Sequence, residues 1–239
     1  MNTQNHTGPN PEFIKGLFNS ISTNYDLANH VITLGLLTAW RKKFIKLSGA
    51  QEGNSVLDCA TGTGDLALEF KKVVGDSGRV IGSDFSEGML KLAPLKAKAQ
   101  NLDIQFELGD VTQLQHEDNC FDITSIGYGI RNVVDPKLGL SEMARVTKSG
   151  GYVMVLETGE NQNPVVRPFI KLYFNYVVPT LGAIANSNKG AYKYLNQSSG
   201  KFPCEADFVR LMETTGLFSK IKYYPLMGGA SYIYKAQVK

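Results

Sequence analysis

The chain has 239 residues, 43% of them hydrophobic, and its 25 Lys and Arg against 22 Asp and Glu leave a net charge of +3. That length and apolar content suit one large α/β domain with additions, and so weak and scattered a positive charge excludes a nucleic-acid partner. Cys59, Cys120 and Cys204 lack CxxC or metal spacing and His6, His30 and His116 stand apart, which predicts no metal site and a reducing cytoplasm.

The first residues, 1–9, are polar and read as a disordered tail, not as a signal peptide. No run of 18 apolar residues occurs, so no membrane-spanning helix is expected. Residues 10–50 form a helical cap. Phe13, Ile14, Leu17, Phe18 and Ile21 recur at helical spacing, Asn24–Asp26 interrupts them, and a second helix runs from Asn29 past Trp40 to Leu47. Arg41, Lys42, Lys43 and Lys46 make the densest basic cluster, a candidate for transient contact with anionic lipid headgroups at the inner face of the plasma membrane.

The core spans residues 51–157. Strand candidates SVLDCA, RVIGSDF, IQFELGD, FDITSIGY and YVMVLE alternate with helices over 65–73, 86–99 and 137–147. This βαβ alternation predicts a doubly wound, mostly parallel sheet with helices on both faces. Gly150-Gly151 is read as a helix C-cap leading into the last of these strands. Residues 158–205 carry the aromatic segment Phe169, Ile170, Leu172, Tyr173, Phe174 and Tyr176, whose low charge marks it as the cover of something apolar: a substrate lid or a homodimer interface. A final helix and an antiparallel hairpin turned at Met227-Gly228-Gly229 fill residues 206–239 and bring the sheet to seven strands.

The chemistry sits at the strand ends. Val56–Leu68 reads as strand, tight turn and helix, with Gly62 and Gly64 allowing close approach of a ligand to backbone. Gly62, Gly64 and Ala67 also fit the dinucleotide pattern G-x-G-x-x-G/A, so NAD(P) and S-adenosylmethionine both remain open on the loop alone. Asp58 favours the second, because a carboxylate in the mouth of the turn repels a pyrophosphate and attracts an ammonium group. Asp84 ends the second strand, where an acid accepts ribose hydroxyls, and Asp110 ends the third, where it can accept the adenine amino group. Ala60, Phe85 and Met89 stand beside these positions as further cofactor-contacting candidates. After the fourth strand, Gly127-Tyr128-Gly129-Ile130-Arg131-Asn132 offers donors where a transferable methyl would lie.

The strings FNSISTNYDLAN, VLDCATGTGDLAL, GYGIRNVVD, RVTKSGGYVMVLE and YKYLNQSSGKFP, in this order, resemble the ubiquinone/menaquinone biosynthesis C-methyltransferases over about residues 12 to 238. The resemblance implies a class I methyltransferase fold and transfer of a methyl group from S-adenosylmethionine to a ring carbon of a polyprenylated quinol. It implies cofactor contacts from Thr63, Asp84, Asp110 and Val111, and from Gly127 through backbone alone, since many members carry Ser there. It places Tyr25, Arg131 and Asn132 at the substrate. Arg131 is too strong a base to accept a proton at neutral pH and is cast as a phenolate stabiliser. Leu37 stands where the family usually has His, Ala28 replaces a common Met, Thr158-Gly159 replaces Glu-x-Ser, and Tyr234 replaces a late His. These departures leave room for another small apolar acceptor, and a non-catalytic cofactor- or quinone-binding protein is the reading from another class.

Overall fold

The computed structural model describes residues 9–22, 25–33, 35–159, 172, 194, 198 and 202–239. The seven strands are β1 (Ser55–Cys59), β2 (Arg79–Asp84), β3 (Gln105–Leu108), β4 (Phe121–Gly127), β5 (Thr147–Thr158), β6 (Phe218–Leu226) and β7 (Ser231–Val238). They form one sheet in the order β3-β2-β1-β4-β5-β7-β6. Strands β1 to β5 pair parallel with one another, while β7 runs antiparallel to both β5 and β6. The predicted class and closing hairpin are therefore present.

Side chains on successive residues of the central strands go to opposite faces, as the strand period requires. Leu57, Val153, Val155 and Tyr234 join one buried layer with Met143 and Phe208; Val56, Met154, Leu156 and Ile233 join the other with Phe44 and Phe70. Both faces are covered, so the inner strands read as apolar runs. The first layer packs under α7 (Pro136–Val146) and α8 (Glu205–Glu213), the second under α3 (Leu36–Ser48) and α4 (Asp65–Val74).

Three expectations change. The second N-terminal helix is two, α2 (Tyr25–Ile32) and α3, because Gly35 adopts φ +76 and caps α3. The helix expected over 86–99 is also two: α5 (Glu87–Leu90), capped by Ser86, and α6 (Ala93–Ala99), restarted by Pro94 in its first turn. Gly150 is not a helix cap. The chain passes directly from α7 into β5 at Thr147, whose Oγ1 donates to the Met143 carbonyl at 2.6 Å, and Gly150, at φ +80, falls where the pairing of β4 with β5 shifts register. The tail over 1–8 and almost all of the aromatic lid or dimer segment over 158–205 lie outside the described residues.

The N-terminal α1 (Pro11–Ile21) starts where Asn10 accepts hydrogen bonds from the Glu12 and Phe13 amides, with Pro11 preset at the first position. Asn19, near its end, accepts from Ser86 Oγ at 2.7 Å and Gly88 N at 2.9 Å, which ties the cap to the loop after β2.

The winding reverses between β1 and β4, so a crevice opens at their carboxyl ends. Gly82 keeps that crevice in shape from beneath: a Cβ there would meet Phe106 Cδ1 at 2.7 Å and Thr61 Cγ2 at 3.0 Å. Gly82→Ala is expected to cost about 1–3 kcal/mol of stability, read as a lowered urea midpoint with an unchanged slope.

Candidate active site

The crevice between β1 and β4 is lined by the sequence-predicted residues Tyr25, Asp58, Ala60, Gly62, Thr63 and Gly127, together with Asn29, Leu37, Arg41, Thr61, Asp65, Leu66, Tyr128 and Leu156. Two residues at its mouth have left-handed backbones although neither is glycine: Ala60 at φ +48 and Tyr128 at φ +56. Such strain persists only where the surroundings enforce it. Here the Tyr128 amide donates to the Leu156 carbonyl at 2.6 Å, and Gly129 packs so close that a Cβ would lie 2.6 Å from Ala60 Cβ.

Asp58 lies on the crevice floor and is 1% exposed. Its register partner on β4 is Ser125. Ser125 Oγ donates to Oδ1 and Thr61 Oγ1 to Oδ2, each at 2.6 Å. Among the described residues no cation pairs with it. Burial pushes its pKa up to about 6, the hydroxyl donors pulling the other way and Asp84 adding to the rise. Asp84 is also buried and raised to about 6 by desolvation, against the pull of its amide donors. It accepts from the Gly62 amide at 2.7 Å and the Ser86 amide at 2.8 Å, so it holds the glycine turn in place. With both folded-state pKa values above the unfolded value, the folded chain binds extra protons between pH 4 and 6. It loses stability as pH rises through that window.

Gly62 adopts φ +58 with open space where a Cβ would stand, and Gly64 caps α4 at φ +87. Thr63 Oγ1 donates to Asp26 Oδ1 at 2.6 Å. Lys96 then joins Asp26, Thr63 and Asp65 in one cluster, and Arg41 pairs with Asp65 at 2.5 Å. This network fastens α2 and α3 of the cap to the turn and to α6. It also takes Arg41 out of the proposed lipid-binding cluster: helical spacing turns Arg41 inward while Lys42, Lys43 and Lys46 stay exposed.

The remaining candidates are placed around the crevice. Phe85 is half-buried and Met89 2% exposed, both just past β2. Asp110 is exposed, and its Oδ1 accepts from Thr112 N and Oγ1 at 2.8 Å in a local turn, with Val111 packed inward near Gly139.

Arg131 and Asn132 fall in a 3-10 turn over Ile130–Asn132. Arg131 is buried, and its Nη1 donates to Glu157 Oε1 at 2.6 Å and to the Tyr128 carbonyl at 2.7 Å. Burial works against its charge, but Glu157, Tyr25 and Tyr194 together outweigh that and hold its pKa above the usual value. Its Nε is buried with no acceptor among the described residues. Tyr25 is raised by desolvation, against a hydrogen bond with Asn29 and the nearby charge of Arg131. Tyr194 donates to Asn132 Oδ1 at 2.9 Å and stacks edge-on against Phe13.

Sequence reading missed Glu157, Ser125 and the Arg41–Asp65–Lys96 network. A signal for Glu157 was available, since it is a lone acid ending an apolar strand, as Asp58 is. Ser125 carried none, because only strand register brings it to Asp58.

The chain matches the ubiE/COQ5 methyltransferase family over residues 6–238. It belongs to that family. The ubiquinone/menaquinone biosynthesis C-methyltransferase UbiE of Bdellovibrio bacteriovorus is 53% identical over 235 residues, 98% of this chain and 99% of that one. The demethylmenaquinone methyltransferase of Staphylococcus saprophyticus is 39% identical over 220 residues, 92% and 94% of the two chains. Among solved structures, an S-adenosylmethionine-dependent methyltransferase of Thermotoga maritima, described as a possible histamine N-methyltransferase, superposes with a TM-score of 0.66 at 19% identity, covering 94% of this chain and 99% of that one. The [4+2]-cyclase SpnF reaches 0.65 at 15% identity over 91% and 76%. That one fold carries both names shows that the fold does not set the reaction. The ubiE/COQ5 family does set it here as methyl transfer from S-adenosylmethionine.

The buried pair of this methyltransferase is open to a direct test. Glu157→Ala leaves a buried guanidinium unpaired and is expected to cost about 3–5 kcal/mol in urea unfolding. Glu157→Leu with Arg131→Met is expected to recover most of that loss while remaining inactive.

Proposed function

We propose that the enzyme methylates a ring carbon of a polyprenylated quinol, with demethylmenaquinol or a ubiquinone precursor as acceptor. The observation that carries this reading is Arg131: a buried, permanently charged guanidinium, aimed by Glu157 and the Tyr128 carbonyl, whose Nε has no acceptor among the described residues. A phenolate oxygen fits that donor. The relatives named for quinone biosynthesis support the same acceptor.

The crevice suits S-adenosylmethionine by its donor set. Asp58 is a buried acid that no cation pairs with among the described residues, the right partner for the ammonium of a methionine moiety. Asp84, with Phe85, Met89, Asp110 and Val111 beyond it, would meet the ribose and base, and Gly62, Thr63 and the Gly127 backbone would line the approach. Bound there, S-adenosylmethionine supplies an electrophilic methyl on a sulfonium.

The chain's own residues make the acceptor carbon nucleophilic and keep water out. Arg131 stabilises the quinolate oxygen, which places electron density on the neighbouring ring carbon. Its raised pKa keeps it charged and makes it no proton acceptor. Tyr25 donates to a ring oxygen, its own ionisation opposed by burial. Asn132 is held by Tyr194 and orients the ring. That bond, with the Phe13–Tyr194 contact, links Asn132 to α1 through Tyr194, which supports the reading of residues 158–205 as a lid for the prenyl tail. The tail is drawn from a membrane surface, with exposed Lys42, Lys43 and Lys46 on anionic headgroups; no described helix is long and apolar enough to cross a bilayer.

Assay of a demethylmenaquinol analogue beside a panel of small phenols, with products identified by mass spectrometry, is expected to give C-methylated quinol. Phenol methylation without quinol turnover would instead favour the broader acceptor class that Leu37 in the crevice allows. Arg131→Lys keeps a charge against Glu157 but loses Nε, so kcat should fall by about 10²–10³ with cofactor affinity retained.

Cofactor affinity should also weaken as pH falls below 6, because Asp58 and Asp84 must give up protons to meet a cation and a ribose. Asp58→Asn is expected to lower affinity about 10- to 100-fold and to flatten this acid limb, measured by calorimetry from pH 5 to 8.

A further inference from the structure

The methionine end of the methyl donor is a zwitterion. Its ammonium has a partner in Asp58, but its carboxylate needs a cation in the same crevice. Three cations lie near enough to weigh, and their engaged donors and their positions separate them.

Lys96 has three N–H donors, and three acceptors already take them: Asp26 Oδ2 at 2.7 Å, Thr63 Oγ1 at 3.1 Å and Asp65. Arg131 does not line the crevice and turns its Nη1 to Glu157 and to the Tyr128 carbonyl. Arg41 differs from both. It is the only cationic side chain lining the crevice among the described residues, across which Asp58 and Asp65 are the acids. It offers five N–H donors in a rigid fork, and Asp65 is its one ion-pair partner among the described residues. The contact to Asp65 runs from Nη2 to Oδ2 at 2.5 Å. Asp65 in turn is anchored by Lys96 and sits at the first position of α4, so the fork is oriented before any ligand arrives.

We propose that Arg41 binds the α-carboxylate of the methyl donor, and that α3 thereby contributes directly to the cofactor site. The inference rests on the reading that the methionine moiety lies over Asp58. The fork takes a carboxylate on its free edge while Nη2 stays on Asp65.

Calorimetry with S-adenosylhomocysteine and with its decarboxylated analogue, which keeps the amine and lacks the carboxylate, tests this. With Arg41→Gln, affinity for S-adenosylhomocysteine should fall about 10- to 100-fold, and affinity for the decarboxylated analogue should not fall. Arg41→Lys, which keeps a cation and guards against a folding defect, should retain part of the affinity for S-adenosylhomocysteine. Equal losses for both ligands with Arg41→Gln would overturn the assignment and leave Arg41 as a support for Asp65; so would no loss for either. Asp58→Asn separates the two readings, because it should weaken both ligands. If it changes neither, the placement over Asp58 fails whatever Arg41 does.

Discussion

A carboxylate taken out of water without a cation has to be held by hydrogen bonds, and the centre of this protein is built to hold one. Asp58 sits near the end of β1, inside the sheet and nearly inaccessible, with a hydroxyl on each oxygen. One hydroxyl comes from the next strand in register and the other from the turn that follows. The hydroxyls satisfy the oxygens and pull the pKa down, but burial outweighs them and pushes it up to about 6. Such a group is costly to fold and useful against a cationic ligand. The crevice, the glycine turn and the helical cap are arranged around it.

The cap is the second tier of this design. Thr63 on the turn, Asp26 on α2, Asp65 on α4, Lys96 on α6 and Arg41 on α3 share one chain of charge-assisted contacts. Tyr25 stands next to Asp26 on α2. The segment that brings Tyr25 into the crevice is thus bound to the glycine turn. On the other side of the crevice, Arg131 is set by Glu157 and by the carbonyl of a strained Tyr128. Strain and buried charge occur on both rims. They mark where folding stability has been given up for chemistry.

Local rules reached far into this chain. Apolar runs of five or six residues bounded by glycine or acid located β1, β2, β4 and β5, and Asp58, Asp84, Gly62 and Gly64 could be picked out because strand ends and glycine turns are local. The helices 65–73 and 137–147 were legible to within a residue or so for the same reason. Helix breaks were less so. Gly35 and Pro94 divide segments whose apolar spacing runs straight through, and a periodicity argument averages over such positions. Arg41 shows the limit most clearly: adjacent in sequence to two exposed lysines, it reads as one of a basic cluster until the helix turns it to Asp65.

The sequence by itself determined the fold class, the kind of cofactor and the family-like order of motifs, because these follow from alternation, turn chemistry and short strings. Only the tertiary structure decided which side chains share the crevice. Ser125 reaches Asp58 through parallel register across 67 residues, Lys96 reaches Asp26 across 70, and Glu157 reaches Arg131 across 26. Register and packing are properties of the whole sheet, and no window of sequence contains them.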